Sequence, residues 1–330
     1  MLSRVAESVF WMCRYIERAE NTARVVNVNW QLSLDDASSA PQWKPLVSIT
    51  GDEEAFARGY SEATAENVMR FLAFDPDYPN SILSCLQQAR ENARTIREII
   101  PSDLWEQVNG FYHRVNHAAN AGATQESPHG FFHMVIKESN EFIGRTMTTM
   151  TRDDTWYFCR AGRMLERADK TSRILDVKYY YLLPNVEEVG TSVDQIHWSA
   201  LLRSVSALQA YRQRHGQIQP ANVVDLLLLN NEFPRSVRFC VERVQESVRR
   251  MTGGAVGGRY VNDAERRCDQ LRSQLACSES AEIIKAGVHE YIDTLQSKLN
   301  EIGHAIGAAF FDPGPSPTLS PDAAATTAQS

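Results

Sequence analysis

Apolar residues recur at three- and four-residue spacing through most of the chain, while strict alternation is almost absent, so the pattern predicts an all-α protein. Breaks at Pro, Gly and Asn-rich clusters divide it into helices at about 2–34, 42–50, 58–74, 80–99, 102–122, 127–151, 153–183, 192–213, 220–230, 235–251, 258–276 and 279–310. The last stretch, 312–330, has four prolines and almost no large apolar residue. It buries too little to offset its ordering entropy and reads as a disordered tail.

The same positions repeat. Residues 10–28, FWMCRYIERAENTARVVNV, align without gaps on 159–177, CRAGRMLERADKTSRILDV, with seven of nineteen identical: Arg14/Arg163, Glu17/Glu166, Arg18/Arg167, Ala19/Ala168, Thr22/Thr171, Arg24/Arg173 and Val28/Val177. Residues 67–94 align on 222–249, pairing Asn67/Asn222, Val68/Val223, Leu72/Leu227, Pro79/Pro234, Ser81/Ser236, Cys85/Cys240, Glu91/Glu246 and Arg94/Arg249. Two collinear matches at nearly one offset predict a duplicated helical bundle. Its repeats span about 1–151 and 152–311, packed about a pseudo-two-fold axis with the two long Glu-Arg helices at the centre.

On a helical wheel Arg14, Glu17, Asn21 and Arg24 share a stripe, with Met12, Ile16, Ala19, Ala23 and Val26 opposite. A lone helix of this kind has a solvated charged face. Two copies of such a face are free to drift, yet these charges match in identity, with Arg and not Lys kept each time. Arg's planar fork suits bidentate pairing with a carboxylate. Arg14, Glu17, Arg18, Arg24, Arg163, Glu166, Arg167 and Arg173 are therefore candidates for an ion-pair network or for a polar ligand site, since buried ions must be matched. A ligand site of this composition suits a zwitterion such as an amino acid or small peptide, with Glu17 or Glu166 as candidate general bases. The Tyr78-Pro79-Asn80-Ser81 and Phe233-Pro234-Arg235-Ser236 turns predict helix starts capped by Ser, or an anion contact at the helix ends and Arg235.

Composition narrows the partners. There are 41 acidic and 34 basic residues, a formal charge of -7 and a pI near 5.7, which gives no basic footprint for nucleic acid. Of the basic residues 28 are Arg, and eight of these fall at matched positions, so genome bias alone does not place them. No long uncharged apolar run predicts a membrane span, and Arg4, Glu7 and Arg14 interrupt the apolar core a secretory signal needs. The expected location is the cytoplasm. Six cysteines without a CxxC pair read as buried reduced thiols, and Trp11, Trp30, Trp105, Trp156 and Trp198 as core or inter-helix contacts. His113/His117 and His129/His133 have metal-compatible spacing but no HExxH context and no counterpart in the other copy, so no metal is expected. The Gly253-Gly254 and Gly257-Gly258 pairs read as a flexible interhelical loop. No phosphate-binding glycine loop or nucleophile elbow occurs, so no cofactor is expected in this chain.

YIERAENTAR, LERADKTSR, ARENARTIRE from Ala89 to Glu98, and NEFPRSVRF from Asn231 together resemble the Alpha-E family, a helical domain named for its Glu-Arg motif, over residues 1–311. The Asn230-Asn231-Glu232 segment departs mildly from the family pattern. The resemblance implies a companion of circularly permuted ATP-grasp proteins, often with transglutaminase-like peptidases nearby, in ATP-dependent amide or peptide bond formation. ATP and Mg would then sit on the ATP-grasp partner. An accessory subunit, an independent Glu-based enzyme and a plain scaffold all remain open at this point.

Overall fold

The computed structural model describes residues 3–35, 43–180, 191–254 and 259–312; of the tail expected at 312–330 all but Asp312 lies outside them, as does Gly257-Gly258. The regular structure among the described residues is helical, with no strand. In chain order the helices are α1 (Ser3–Asp35), α2 (Lys44–Thr50), α3 (Glu53–Gly59), α4 (Ala65–Phe74), α5 (Ile82–Thr95), α6 (Ser102–Asn120), α7 (Ala123–Glu126) and α8 (Pro128–Thr149). They continue as α9 (Asp154–Tyr180), α10 (Ser192–Ser204), α11 (Leu208–Arg214), α12 (Pro220–Val224), α13 (Val237–Thr252), α14 (Asp263–Cys277), α15 (Ser280–Ala286) and α16 (Val288–Phe310).

Helices α1 and α9 pack on each other at the centre. Helix α1 also packs on α5 and α8, with α6 bridging those two, and α9 packs on α13 and α16, with α14 bridging them. The bridging helices bury the same register: Leu104, Val108, Phe111 and Val115 in α6, and Ala264, Cys268, Leu271 and Leu275 in α14. In α1 no residue from Ser8 to Ser33 is exposed, and in α9 none from Thr155 to Lys178. The stripe bearing Glu17 and Asn21 is thus enclosed along with the apolar side opposite, its Arg14 and Arg24 ends less deeply, which only a helix surrounded by protein permits.

The two central helices approach closely at Gly162, where a Cβ would run into the carbonyl oxygen of Phe10. A side chain there would push the helices apart.

Several expected helices are divided. The 58–74 segment begins only at Ala65, where the Thr64 hydroxyl caps by accepting from the Asn67 amide, and a separate α3 precedes it. The 192–213 helix breaks at Ser206, held at φ 54, and the 279–310 helix at Gly287, whose φ of 104 suits glycine alone. Residues Asp225–Leu229 form a π turn after α12. Gly253-Gly254 end α13. Ser81 and Ser236 cap α5 and α13 as expected, accepting from the Ser84 and Phe239 amides at 3.1 Å each.

Candidate functional site: a crossed Glu-Arg network

The Glu-Arg motifs pair across the α1–α9 contact. Glu166 of α9 accepts from Arg14 Nε at 2.8 Å and from Arg18 Nε at 2.7 Å, both on α1, and the Lys170 ammonium stands 3.8 Å away. Reciprocally, Glu17 of α1 receives a bidentate grip from Arg167 of α9, at 2.7 Å from Nε and 2.8 Å from Nη2. Asn21 Nδ2 adds a bond to Glu17 at 2.9 Å, and Arg235 lies 3.6 Å from it. The exchange is reciprocal, as across a two-fold axis.

A second tier flanks this centre. Arg235 reaches Glu20 at 2.7 Å and Asn21 Oδ1 at 3.0 Å. Arg24 also pairs with Glu20 at 2.7 Å and donates to the Ser206 hydroxyl, while Arg173 pairs with Asp169 at 3.0 Å. On the Glu166 side, Arg18 Nη1 donates to Asn80, whose amide donates in turn to Asp52, which also accepts from the Tyr78 hydroxyl at 2.7 Å.

All eight candidate residues gather in or beside this assembly, but they do not play equal parts. Arg163, matched to Arg14, forms no ion pair among the described residues, and its buried Nε and Nη1 have no hydrogen-bond partner. The alternative to capping, an anion contact at Arg235, is corrected: its side chain is buried and faces Glu20 and Asn21 inside the protein. Sequence reading missed the network roles of Glu20, Lys170, Asn80 and Arg235. The Arg235 signal was present, because it stands one residue after the matched Pro79/Pro234 pair, opposite Asn80.

The fields are strong. Burial alone would raise the Glu166 carboxyl, yet Arg18, Arg14 and Lys170 override it and hold it well below the usual carboxylate range. Burial likewise opposes ionisation of Glu20, but Arg235, Arg24 and Arg167 bring its pKa down to about 2. A general base near neutral pH needs the opposite adjustment. The Glu17 and Glu166 side chains have exposures of 1% and 0%, and a cavity beside Asn21 and Lys170, under α2, offers about 20 Å³, room for one water.

Elsewhere, His113, His117, His129 and His133 are exposed, and no group of three metal-ligating side chains occurs among the described residues. The expectation that these histidines lack a counterpart is corrected for His129 alone. His129 Nδ1 bonds Asn27 of α1 at 2.8 Å, and His289, at the matching place in α16, bonds Asp176 of α9 at 2.7 Å. The match hides in sequence because α8 and α16 are separated by a longer offset than α1 and α9. Cys277 is exposed, unlike the other five cysteines. Trp156 and Trp198 are buried, while Trp11, Trp30 and Trp105 pack partly exposed against the core. No described helix is long and apolar enough to cross a membrane.

A family model described as a predicted alpha-helical domain with a conserved ER motif matches residues 1–311. The chain belongs to the Alpha-E family. Glu17-Arg18 and Glu166-Arg167 are the two Glu-Arg steps in the crossed network just described. Uncharacterized proteins of Mycobacterium bovis and of two Mycobacterium tuberculosis strains, CDC 1551 and H37Rv, are each 24% identical to this Alpha-E chain over 332 residues, covering 94% of it. The match spans only 36% of each relative's own length. No solved structure matches.

Proposed function

We propose that this Alpha-E chain is an accessory subunit of an ATP-dependent amide- or peptide-forming system, acting in the cytoplasm beside an ATP-grasp protein that holds ATP and Mg. In this reading the Glu-Arg network locks the subunit's own framework and is not the reaction centre. The observation that carries the structural half is the enclosure of Glu17 and Glu166, each engaged by arginines from the opposite central helix. The depressed Glu166 pKa supports the same reading, because a carboxylate held so firmly ionised is a weak proton acceptor. An amino acid does not fit a cavity of about 20 Å³ beside Lys170.

The partner half rests on the family resemblance. The mycobacterial relatives support it in one respect: there a segment like this one is part of a much longer chain, so the unit operates beside other protein. We further infer that the chain arose by tandem duplication. The two collinear sequence matches, the reciprocal ion pairs and the shared burial register of α6 and α14 support that history.

The test is to incubate the purified chain with ATP and an amino-acid mixture, with and without the ATP-grasp partner, and to analyse products by mass spectrometry. Product is expected only with the partner present. Product from the chain alone would establish it as an independent enzyme, and loss of product in a folded Glu166→Gln variant would return the network to the active site.

A further inference from the structure

Two thiols meet inside the contact between α1 and α9. Cys13 donates to the Cys159 sulfur at 2.8 Å, and both residues are fully buried. Nothing fits between them. One turn along α9 from Cys159, and so on the same face, lies the buried Arg163 with Nε and Nη1 unpartnered. A guanidinium remains charged in proteins, and a buried cation without an anion is strongly unfavourable. The Arg163 charge favours the ionised form of both thiols. The hydrogen bond from Cys13 holds the Cys159 thiol below its ordinary value against burial, whereas burial pushes the Cys13 thiol well up and keeps it the proton donor. Cys240 also feels Arg163, but burial pushes it up to about 12 and its thiol is directed at the Pro234 carbonyl.

We propose that Cys13 and Cys159 form a redox site in which a Cys159 thiolate, paired with Arg163, is oxidised by a hydroperoxide and resolved by Cys13 into a disulfide joining α1 to α9. With hydrogen peroxide, Cys159 gives its proton to solvent and its sulfur attacks one peroxide oxygen: an S–O bond forms, the O–O bond breaks, and the departing hydroxide takes a proton back from solvent to become water. The Cys13 sulfur then attacks the sulfenic sulfur. An S–S bond forms, the S–O bond breaks, and the hydroxyl leaves as water with the Cys13 proton. Two thiols and one peroxide thus give one disulfide and two waters, and a small dithiol reverses the change. Hydrogen peroxide is close to water in size and reaches the pair through local opening of the helices. The product is a covalent staple between residues 146 apart in sequence, one turn from the Glu-Arg network.

The reduced full chain is exposed to hydrogen peroxide, alkylated under denaturing conditions and digested for peptide mass spectrometry. The expected result is a loss of about 2 Da, a Cys13–Cys159 cross-linked peptide that dithiothreitol abolishes, and formation slowed on the order of tenfold in Arg163→Met. Cys13→Ser should strand the sulfenic acid on Cys159, where dimedone traps it, and this variant decides the matter if Arg163→Met does not fold. Oxidation confined to the exposed Cys277, with Cys13 and Cys159 both still alkylated, overturns the proposal. So does an unchanged rate in a folded Arg163→Met.

Discussion

Glu166 and Glu17 occupy matched positions in matched motifs, yet they are held differently. Glu166 has three cations around it, Arg14, Arg18 and Lys170. Glu17 has Arg167 and, more loosely, Arg235, with neutral Asn21 where the other side has Lys170. The two sides differ at two aligned positions, Asn21 against Lys170 and Asn80 against Arg235. Arg235 reaches the Glu17 side from the turn before α13, and Arg163, aligned with Arg14, forms no ion pair among the described residues. Equal motifs therefore do not guarantee equal chemistry; the neighbours that complete the charge balance decide it.

The largest expected effect is at Glu166. Glu166→Gln leaves Arg14, Arg18 and Lys170 facing one another in a buried site and should cost about 3–5 kcal/mol in denaturant unfolding. Glu17→Gln should cost less, because Arg235 keeps Glu20. Equal losses would mean that the two sites are energetically equivalent and that the comparison is wrong.

Acid should act on the same network. The folded pKa of Glu20 is depressed to about 2 from the ordinary 4.5, so its stabilisation is complete above about 4.5 and disappears as pH falls through 2. That difference is worth about 3 kcal/mol as an order of magnitude. Unfolding curves between pH 5 and 2 should therefore shift steeply, and Glu20→Gln should flatten that dependence. A wild-type chain insensitive to pH in this window would contradict the depressed value.

The matched arginines give a sharper contrast with smaller numbers. Arg14→Met should destabilise by about 1–3 kcal/mol through loss of a charge-assisted bond to buried Glu166. Arg163→Met, which removes a cation without a carboxylate, should be neutral or stabilising in the reduced protein. A reversal of that order would show that Arg163 has an anionic partner stronger than the thiols.

His289 offers the smallest effect. Its bond to Asp176 raises the His289 pKa above 6.5, so its contribution is full below 6.5 and fades as pH rises through the raised value. The site is well exposed, and a few tenths of a kcal/mol is the expected size. His289→Gln should remove that neutral-range dependence.

Much of this was legible in the sequence. Three- and four-residue periodicity suffices for an all-α chain, and the identity of Glu17/Glu166 and Arg18/Arg167 between the two aligned segments suffices to lift these charges out of a solvated face. Periodicity fails for α1 itself, because a helix enclosed by others buries polar and apolar sides alike, and the wheel then separates chemistry without separating inside from outside. The partners were less visible. Arg235 and Asn80 come from turns distant in sequence, and the pairing of Arg18 with Glu166 in preference to its own neighbour Glu17 depends on how two helices meet. The missed His129/His289 match lay beyond two connections of unequal length, which changed the offset.

The central claim is that these ion pairs lock α1 against α9, and a double-mutant cycle on Arg18→Met and Glu166→Gln in the full chain tests it most directly, by denaturant unfolding. A buried, bidentate pair predicts a coupling of about 1–3 kcal/mol, so that the double variant loses far less than the sum of the single losses. Losses that add to within about 0.5 kcal/mol would mean that the two groups do not hold each other, and the lock would not exist.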